Sequence, residues 1–270
     1  MISSSPRTTQ TYSDFPHHHI PQHFNYDHYV SDSMQQTKLQ ELCVTNVQAV
    51  ALEQATQTQS QNNLWFKKRK CRITASKILH VFYCKRGMDK HAEKFVEGDL
   101  SRSTPSDIVQ KKLDHGIMYE SVALEKYKVC MEEEVTNVKV LSCGLVVNEN
   151  NCWLGCSPDA KVVTGDIYGI AGCKSPEQYK HSDLFDVADS NDSDKFMLHV
   201  KNGKLHLRET HRVYYQIQCQ LALTGSEFCG LVVYTFESLT IVRIAFNEQF
   251  WRTVIDEIGP KYFKYILPKL

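Results

Sequence analysis

Residues 155–174, GCSPDAKVVTGDIYGIAGCK, contain two short apolar segments around which the rest of the domain can be arranged. The segments 160–164 and 167–173 are rich in Val, Ile and Cys, and the Thr-Gly-Asp sequence between them favours a turn. Two adjacent β-strands are therefore predicted. A proline restricts the turn before the first strand and leaves Asp159 at its head, whereas Lys174 ends the second strand.

Helices and further strands are predicted on both sides of this pair. The predicted helices run from Thr37 to about residue 63, from Thr74 onward, from Gly116 to about Glu134, from about Arg208 to Leu223 and over 248–266. The other predicted strands are 139–148, 152–156, Gly230–Phe236 and Leu239–Phe246, and 85–106 is predicted to be a loop. This order favours an α/β (α+β) domain with a central mixed sheet flanked by helices.

The predicted domain covers residues 38–270, and the polar, proline-containing residues 1–37 are predicted to be a disordered tail. Within the domain, the polar segment 181–206 is predicted to be a surface insertion. No apolar run reaches the ~18 residues that suggest a membrane span. The N-terminus lacks the apolar stretch of a secretory signal, so an intracellular location, nuclear or cytoplasmic, is expected.

The 270 residues include 31 basic and 31 acidic side chains, so nucleic-acid binding would have to come from local clusters of charge. Residues 67–72, KKRKCR, place five basic side chains just before the helix predicted at Thr74. Together with the Ser76 hydroxyl and the free N–H groups of a helix N-terminus, this run could bind phosphate. Taken alone, the run could equally be a solvated surface or a nuclear-import signal.

Glu120 is expected on the apolar face of its helix, where its carboxylate would point toward the core or a cleft. Burial of that charge is costly unless it is paired or bound to a cation. Alternatively, Glu120 lies in an exposed first turn and interacts with the helix dipole. The apolar residues that follow it at helical spacing are Ala123, Leu124, Tyr127 and Met131.

Asp159 and Lys174 also allow two interpretations each. The aspartate could hold a divalent metal, and the lysine could orient an attacking water and offset the charge of a scissile phosphate. However, Pro-Asp is a common turn pair, and a lysine at a strand end is often merely solvated.

Ten cysteines raise a zinc hypothesis based on the C-x3-C pair Cys152 and Cys156, with histidines as further ligands. No second pair follows at a spacing suited to a closed zinc site, so small buried thiols are the favoured interpretation. The His17–His19 run could bind a transition metal weakly, but it lies in the predicted tail.

Six motifs occur in an order that resembles one family. They are Glu53-x2-Thr56-x2-Gln59, Trp65-x3-Arg69-x2-Arg72-Ile73-Thr74-Ala75-Ser76, Gly116-x3-Glu120-x2-Ala123, Gly155-x2-Pro158-Asp159, Lys174-x-Pro176 and Tyr215-Gln216-Ile217-Gln218-Cys219-Gln220-Leu221. This pattern resembles the YqaJ-like viral recombinase and phage lambda exonuclease group of PD-(D/E)xK nucleases. The resemblance implies a restriction-endonuclease-like fold from about residue 38 to the C-terminus.

The resemblance also implies metal-dependent hydrolysis of DNA phosphodiesters at linear duplex ends, in DNA recombination or repair. Glu120 and Asp159 would coordinate Mg²⁺ or Mn²⁺, Lys174 would position the nucleophilic water, and Gln216 would support the site. The residues implied to contact DNA are Arg69, Arg72, Ser76 and Ser157. A homo-oligomer is suggested by family analogy alone.

One position departs from the family pattern. The acidic residue expected two positions before the lysine is Gly172 here, and a misplaced catalytic group can cost ~100-fold in rate. Either Glu177 or Asp166 substitutes as a ligand, or the site has decayed; a degenerate or weak site is favoured. Three hypotheses follow: an active nuclease, a non-catalytic DNA-end-binding module of the same fold, and a zinc module.

Overall fold

The computed structural model describes residues 24–30, 32–100, 106–134, 137–190 and 195–270, with backbone alone for 99 and 100. Residues 1–23 of the predicted tail, with the His17–His19 run, lie outside the described residues. Helices α1 to α9 span, in order, Ser33–Leu42, Asn46–Ala55, Asn63–Arg69, Ile78–Tyr83, Met88–Leu100, Asp107–Glu134, Leu184–Asp189, Arg212–Thr224 and Glu248–Lys261. Strands β1 to β9 span Ile73–Thr74, Val138–Leu141, Leu154–Gly155, Ala160–Thr164, Ile167–Lys174, Leu198–Lys201, Lys204–Leu207, Phe228–Tyr234 and Leu239–Ala245.

A five-stranded mixed sheet lies at the centre, in the order β2-β4-β5-β8-β9. Strands β5 and β8 are parallel, and the other neighbours are antiparallel. The predicted strand pair is the β4–β5 hairpin, whose register runs from Thr164↔Ile167 to Ala160↔Ala171. The predicted α/β domain with a mixed sheet flanked by helices is confirmed. Within the described residues, every helix is too short or too polar to span a lipid bilayer.

The sheet separates two apolar cores, because successive side chains of a strand point to opposite faces. Ile170 belongs to the larger core with residues of α8 and α9, whereas Ala171 belongs to a smaller core under α6. The α6 residues of the smaller core are Ala123, Tyr127 and Met131. The predicted apolar face of this helix is therefore confirmed, and Glu120 lies on it one turn before Ala123.

Several helix boundaries differ from the prediction; α8, for example, begins at Arg212 rather than at about Arg208. The predicted helix from Thr37 is two helices, because Thr45 forms a capping box with Gln48 that starts α2. Thr74 lies in β1 and is followed by a 3₁₀ turn that it does not cap through its side chain. Gly116 lies within α6 rather than before it, since packing of the helix against the sheet outweighs the ~1 kcal/mol helix penalty of one glycine.

The predicted loop at 85–106 was wrong, because α5 occupies most of it. Met88, Ala92 and Phe95 are buried at helical spacing, and this short apolar stripe was the missed signal. Gly98 lies near the end of the helix, where it costs little.

The prediction of a surface insertion at 181–206 is also corrected. Leu184, Val187 and Phe196 from this segment are buried in the larger core, so α7 and the β6–β7 hairpin are part of the packed domain. Packed structure also begins before the predicted boundary at residue 38, since Tyr26 stacks on Phe263 at 4.7 Å and α1 starts at Ser33.

Candidate active site

A cleft of about 680 Å³ opens beside the ends of β4 and β5, between α6 and the start of α8. The four residues predicted to be catalytic, Glu120, Asp159, Lys174 and Gln216, all line this cleft. They come from α6, the turn before β4, the end of β5 and α8. The fold therefore brings together side chains that are up to 96 positions apart in the sequence.

Asp159 is held rigidly at the head of β4. Its carboxylate Oδ2 accepts a hydrogen bond of 2.6 Å from the backbone N–H of Cys173, and its own N–H donates to the Ala171 carbonyl at 3.1 Å. These contacts bind the aspartate to β5 on both sides of Gly172. The antiparallel register therefore puts Asp159 beside Gly172.

Glu120 is an electrostatically strained carboxylate. Burial raises its pKa to about 7, repulsion from Asp159 adds to this rise, and attraction by Lys174 opposes it. This combination means that the three charged groups act on one another across the cleft. A carboxyl group with its pKa near neutrality beside a second carboxylate is typical of sites that bind cations or exchange protons.

The substitutes proposed for the missing acid differ in position. Asp166 is exposed in the turn that joins β4 to β5, at the opposite end of the hairpin from Lys174 and about 26 Å away at ~3.3 Å per residue. The hypothesis that Asp166 substitutes for the missing ligand was therefore wrong. Glu177 lines the cleft, but its carboxylate pairs with Lys180 at 3.4 Å and acts electrostatically on His115 rather than on Glu120.

A buried polar network supports the turn that carries Asp159. Gln59 donates through Nε2 to the carbonyls of Pro158 and Cys143, both at 2.9 Å. Glu53 forms a buried ion pair with Lys161 at 3.0 Å and accepts the Gly144 N–H at 2.8 Å. A side chain at Gly144 would approach the Glu53 carbonyl to 1.9 Å, which explains the glycine there. The Glu53-x2-Thr56-x2-Gln59 motif is thus a structural brace behind the site.

The predicted DNA contacts divide into different roles. Ser76 is exposed and lines the cleft. Arg69 stacks on the Trp65 ring with its guanidinium carbon 3.7 Å from the centroid, and the Ser157 hydroxyl accepts the Trp65 indole N–H at 2.8 Å. Trp65 therefore orients the Arg69 and Ser157 side chains next to the Pro158-Asp159 turn at the cleft.

Arg72 was wrongly assigned to DNA binding. Arg72 is 2% exposed, and its guanidinium donates to the carbonyls of Lys68, Leu42 (2.6 Å) and Cys152 (2.9 Å). The sequence places Arg72 in a basic run, but in the fold its guanidinium satisfies the buried carbonyl groups of Leu42 and Cys152 in two distant segments.

Replacement of Arg72 by alanine should therefore reduce stability rather than DNA binding. We expect a loss of about 3 kcal/mol or more in the free energy of unfolding, because two buried carbonyls and one partly buried carbonyl lose their donor. Arg69→Ala is the matched control, with an expected loss below about 1 kcal/mol from its cation–π contact. Urea unfolding of both variants measures the difference; equal stability of the two would contradict the assignment of Arg72.

Several cleft residues were missed by the sequence analysis. His115 contacts the Ser175 hydroxyl at 3.1 Å, and Lys195, His211 and Arg212 line the side of the cleft formed by the start of α8 and the segment before β6. The signal for the last three was the basic composition of 195–212, which had been assigned to a polar insertion and a helix start.

The zinc hypothesis lacks a ligand cluster. Cys152 and Cys156 are both buried, and the Cys152 sulfur lies 3.3 Å from that of Cys43. Within the part of the chain that the structure describes, no three His, Cys, Asp or Glu side chains are grouped so that they could hold a metal ion. Burial raises the pKa of both the Cys152 and Cys156 thiols, which favours small buried thiols over metal-binding thiolates.

Comparison with known proteins relates this fold to nucleases. The model of the YqaJ-like viral recombinase domain matches residues 64–227, which include the candidate site. No curated protein sequence matches significantly. An alkaline exonuclease from Laribacter hongkongensis has a similar fold, with 18% identity, a TM-score of 0.55, and coverage of 77% of this chain and 93% of that chain.

Two further structures share the fold. A SOX–DNA complex is 11% identical, with a TM-score of 0.53 and coverage of 88% of this chain and 74% of that chain. A KSHV SOX RNA complex is 12% identical, with a TM-score of 0.53 and coverage of 86% and 77%. At these identities the similarity establishes the fold.

Proposed function

This chain belongs to the YqaJ-like viral recombinase domain family, and from that membership we propose that it is a DNA nuclease of the recombination exonuclease type. In this proposal, the cleft that contains Glu120 binds the end of a linear duplex and hydrolyses its phosphodiester bonds with Mg²⁺ or Mn²⁺. The observation that carries the proposal is the meeting of Glu120, Asp159 and Lys174 in one cleft.

The residues fit a divalent cation, although with few protein ligands. Mg²⁺ is commonly held by one or two carboxylates and completes its coordination with water and substrate phosphates. Glu120 and Asp159 supply two such carboxylates. When bound, the cation would polarise the phosphate and lower the pKa of an attacking water.

The side chains around these carboxylates have separate tasks in the proposed reaction. Lys174 would donate hydrogen bonds to the water or the scissile phosphate and offset negative charge. Gln216 would orient the same groups from α8, and Ser76 with Arg69 would bind a terminal phosphate. The hydrogen bond from Cys173 holds Asp159 in place, so its position does not depend on the substrate.

A second function is supported by Gly172. This position offers no ligand, Asp166 is too far away, and the Glu177 carboxylate, although it lines the cleft, pairs with Lys180. Glu120 and Asp159 then act alone where the family pattern has three carboxylates. Such a chain could bind DNA ends without cutting them.

One assay separates the two functions. A 5′-phosphorylated linear duplex and a closed circular duplex are incubated with the protein in EDTA, Mg²⁺ or Mn²⁺, and both binding and nucleotide release are measured. Release from the linear duplex alone supports the exonuclease. Binding to ends without release under any metal supports the end-binding module, and failure to bind linear duplex contradicts both.

The raised pKa of Glu120 gives a metal-independent prediction. The folded protein keeps this proton up to a pH of about 7, whereas an unfolded glutamate loses it near its ordinary pKa of 4.5. The stability contributed by the protonated form is therefore present below about pH 4.5 and is lost as the pH rises through about 7. Glu120→Gln lacks this titration, so its Tm relative to wild type should rise between about pH 5 and about pH 8 in EDTA.

Thermal unfolding at the two pH values measures this difference. Addition of Mg²⁺ at the higher pH should raise the Tm of the wild type and leave that of Glu120→Gln nearly unchanged, because the ligand has been removed. An equal Tm difference at both pH values would show that Glu120 titrates normally.

A further inference from the structure

The β6–β7 hairpin presents an unusually basic surface next to the cleft. Residues 195–212 contain five Lys or Arg side chains and three histidines, with Glu209 as the one acidic residue, in a chain whose basic and acidic side chains are equal in number overall. The members of this surface, which we term the cationic hairpin surface, are Lys195, His199, Lys201, Lys204, His206, Arg208 and Arg212.

The strand register determines which side chains face outward. Leu198 pairs with Leu207 and Val200 with Leu205, and the three leucines of this face are buried. The pairs His199↔His206 and Lys201↔Lys204 therefore lie on the opposite, outer face. Burial of the leucine face fixes the hairpin on the domain and holds the basic face toward solvent.

The outer face places like charges directly opposite each other. Lys201 and Lys204 are a cross-strand pair beside the Asn202-Gly203 turn, and such pairs of like charge destabilise a hairpin. Both lysines are exposed, and among the residues that the structure describes neither forms an ion pair with an acidic side chain. The pKa of His199 is lowered by burial and then by Arg208, His206 and Lys201, which reflects the same excess of positive charge. An anionic partner would relieve this repulsion.

The hairpin is continuous with the candidate active site. Lys195, Phe196 and Met197 line the cleft immediately before β6, as do His211 and Arg212 after β7. The Arg208 N–H donates to the Met197 carbonyl at 2.9 Å and closes the base of the hairpin. Four residues of strand extend about 13 Å from this base, which corresponds to about four base pairs of duplex.

We propose that the cationic hairpin surface binds the phosphate backbone of duplex DNA about four base pairs from the end that occupies the cleft. This inference rests on the proposed function, because it takes the cleft to hold a DNA end. The surface binds the backbone through charge and therefore contributes affinity without base specificity.

The test is the salt dependence of DNA affinity in the full chain. Binding of a labelled blunt duplex of about 20 base pairs is measured in EDTA over a range of salt concentrations, for wild type and for Lys201→Gln/Lys204→Gln. Each lost phosphate contact lowers the slope of log affinity against log salt by about 0.9, so the double variant should lose about 1.8. The same relation predicts about 30-fold weaker binding near 0.15 M salt.

Two control variants separate this contact from folding and from overall charge. Lys201→Arg/Lys204→Arg keeps the charge and should keep the wild-type slope. Lys90→Gln/Lys94→Gln removes two exposed lysines from α5, where none of the described side chains, 88–98, lines the cleft, and should also keep the slope.

The possible outcomes test the hairpin inference and the proposed function separately. Failure of the wild type to bind duplex contradicts the proposed function itself. Duplex binding with an unchanged slope in Lys201→Gln/Lys204→Gln, or an equal loss of slope in the α5 control, overturns the hairpin inference alone. The same hairpin-dependent slope with single-stranded RNA of equal length would overturn duplex DNA as the occupant.

Discussion

Replacement of Gly172 by glutamate should raise metal-dependent nucleotide release from a 5′-phosphorylated linear duplex by about 100-fold or more. The variant restores a carboxylate two residues before Lys174, where the family pattern has one. Three oxygen ligands would hold a hard cation more firmly than Glu120 and Asp159 alone and would fix the position of its water.

The backbone at Gly172 can accept a Cβ atom without a clash. A Cβ atom at Gly172 would meet the Cys229 sulfur at 3.8 Å, which is an ordinary van der Waals contact. The register of β4 and β5 puts the position beside Asp159. Because a carboxylate at this buried position, next to two others, is costly without a cation, the variant should also have a lower Tm than wild type in EDTA and regain stability with Mn²⁺.

Gly172→Gln is the matched control, since it fills the same space without the charge and should not gain activity. Equal activity of wild type and Gly172→Glu would mean that another carboxylate completes the native site. Glu177 would then be the first candidate, and Glu177→Gln should remove that activity. Absence of cleavage in both proteins would contradict the nuclease assignment and leave DNA-end binding.

Asp159→Asn should abolish cleavage, with a loss of at least about 100-fold measured in the Gly172→Glu background, where the signal is largest. Asparagine keeps an oxygen that can accept the Cys173 N–H, so the turn should remain in place while the negative charge is lost. Repulsion from Asp159 raises the pKa of Glu120, and this pKa should therefore fall in the variant.

The control for this variant is Asp166→Asn, the same chemical change in the exposed turn at the other end of the hairpin. Its cleavage rate and its Mn²⁺ affinity, measured by calorimetry, should match those of the parent protein. If Asp159→Asn bound Mn²⁺ as tightly as the parent, the aspartate would not be a metal ligand, whatever its effect on the rate.

The strand pair and the helix face of the site could be predicted from local patterns. Residues 160–164 and 167–173 are short, rich in Val, Ile and Cys, and separated by a turn sequence, as the strands of a hairpin are. The apolar residues after Glu120 recur at the spacing of a helix. Both patterns depend on residues within a few positions of one another. Only the resemblance of motif order predicted that one site contains Glu120, Asp159, Lys174 and Gln216. The number of residues between two positions does not give the distance between them in the folded protein.

The basic run before Thr74 shows where local patterns fail. Its composition is the same whether an arginine faces solvent or the interior, yet Arg72 is buried against the carbonyls of Leu42 and Cys152, which are 30 and 80 positions away. The polar segment 181–206 was misjudged for a related reason. Its few apolar side chains, such as Leu184 and Phe196, are the ones that pack into the core.

The amino-acid sequence by itself determined the strand pair, the apolar face of α6 and the absence of a carboxylate at position 172. These features follow from backbone periodicity and from the identity of single side chains. Tertiary structure alone decided that Asp166 lies too far from Lys174 to replace the lost ligand, and that the basic residues of β6 and β7 share one face of a hairpin whose base adjoins the cleft. Both outcomes depend on strand direction and register, which arise from pairing between segments and from burial of the opposite face.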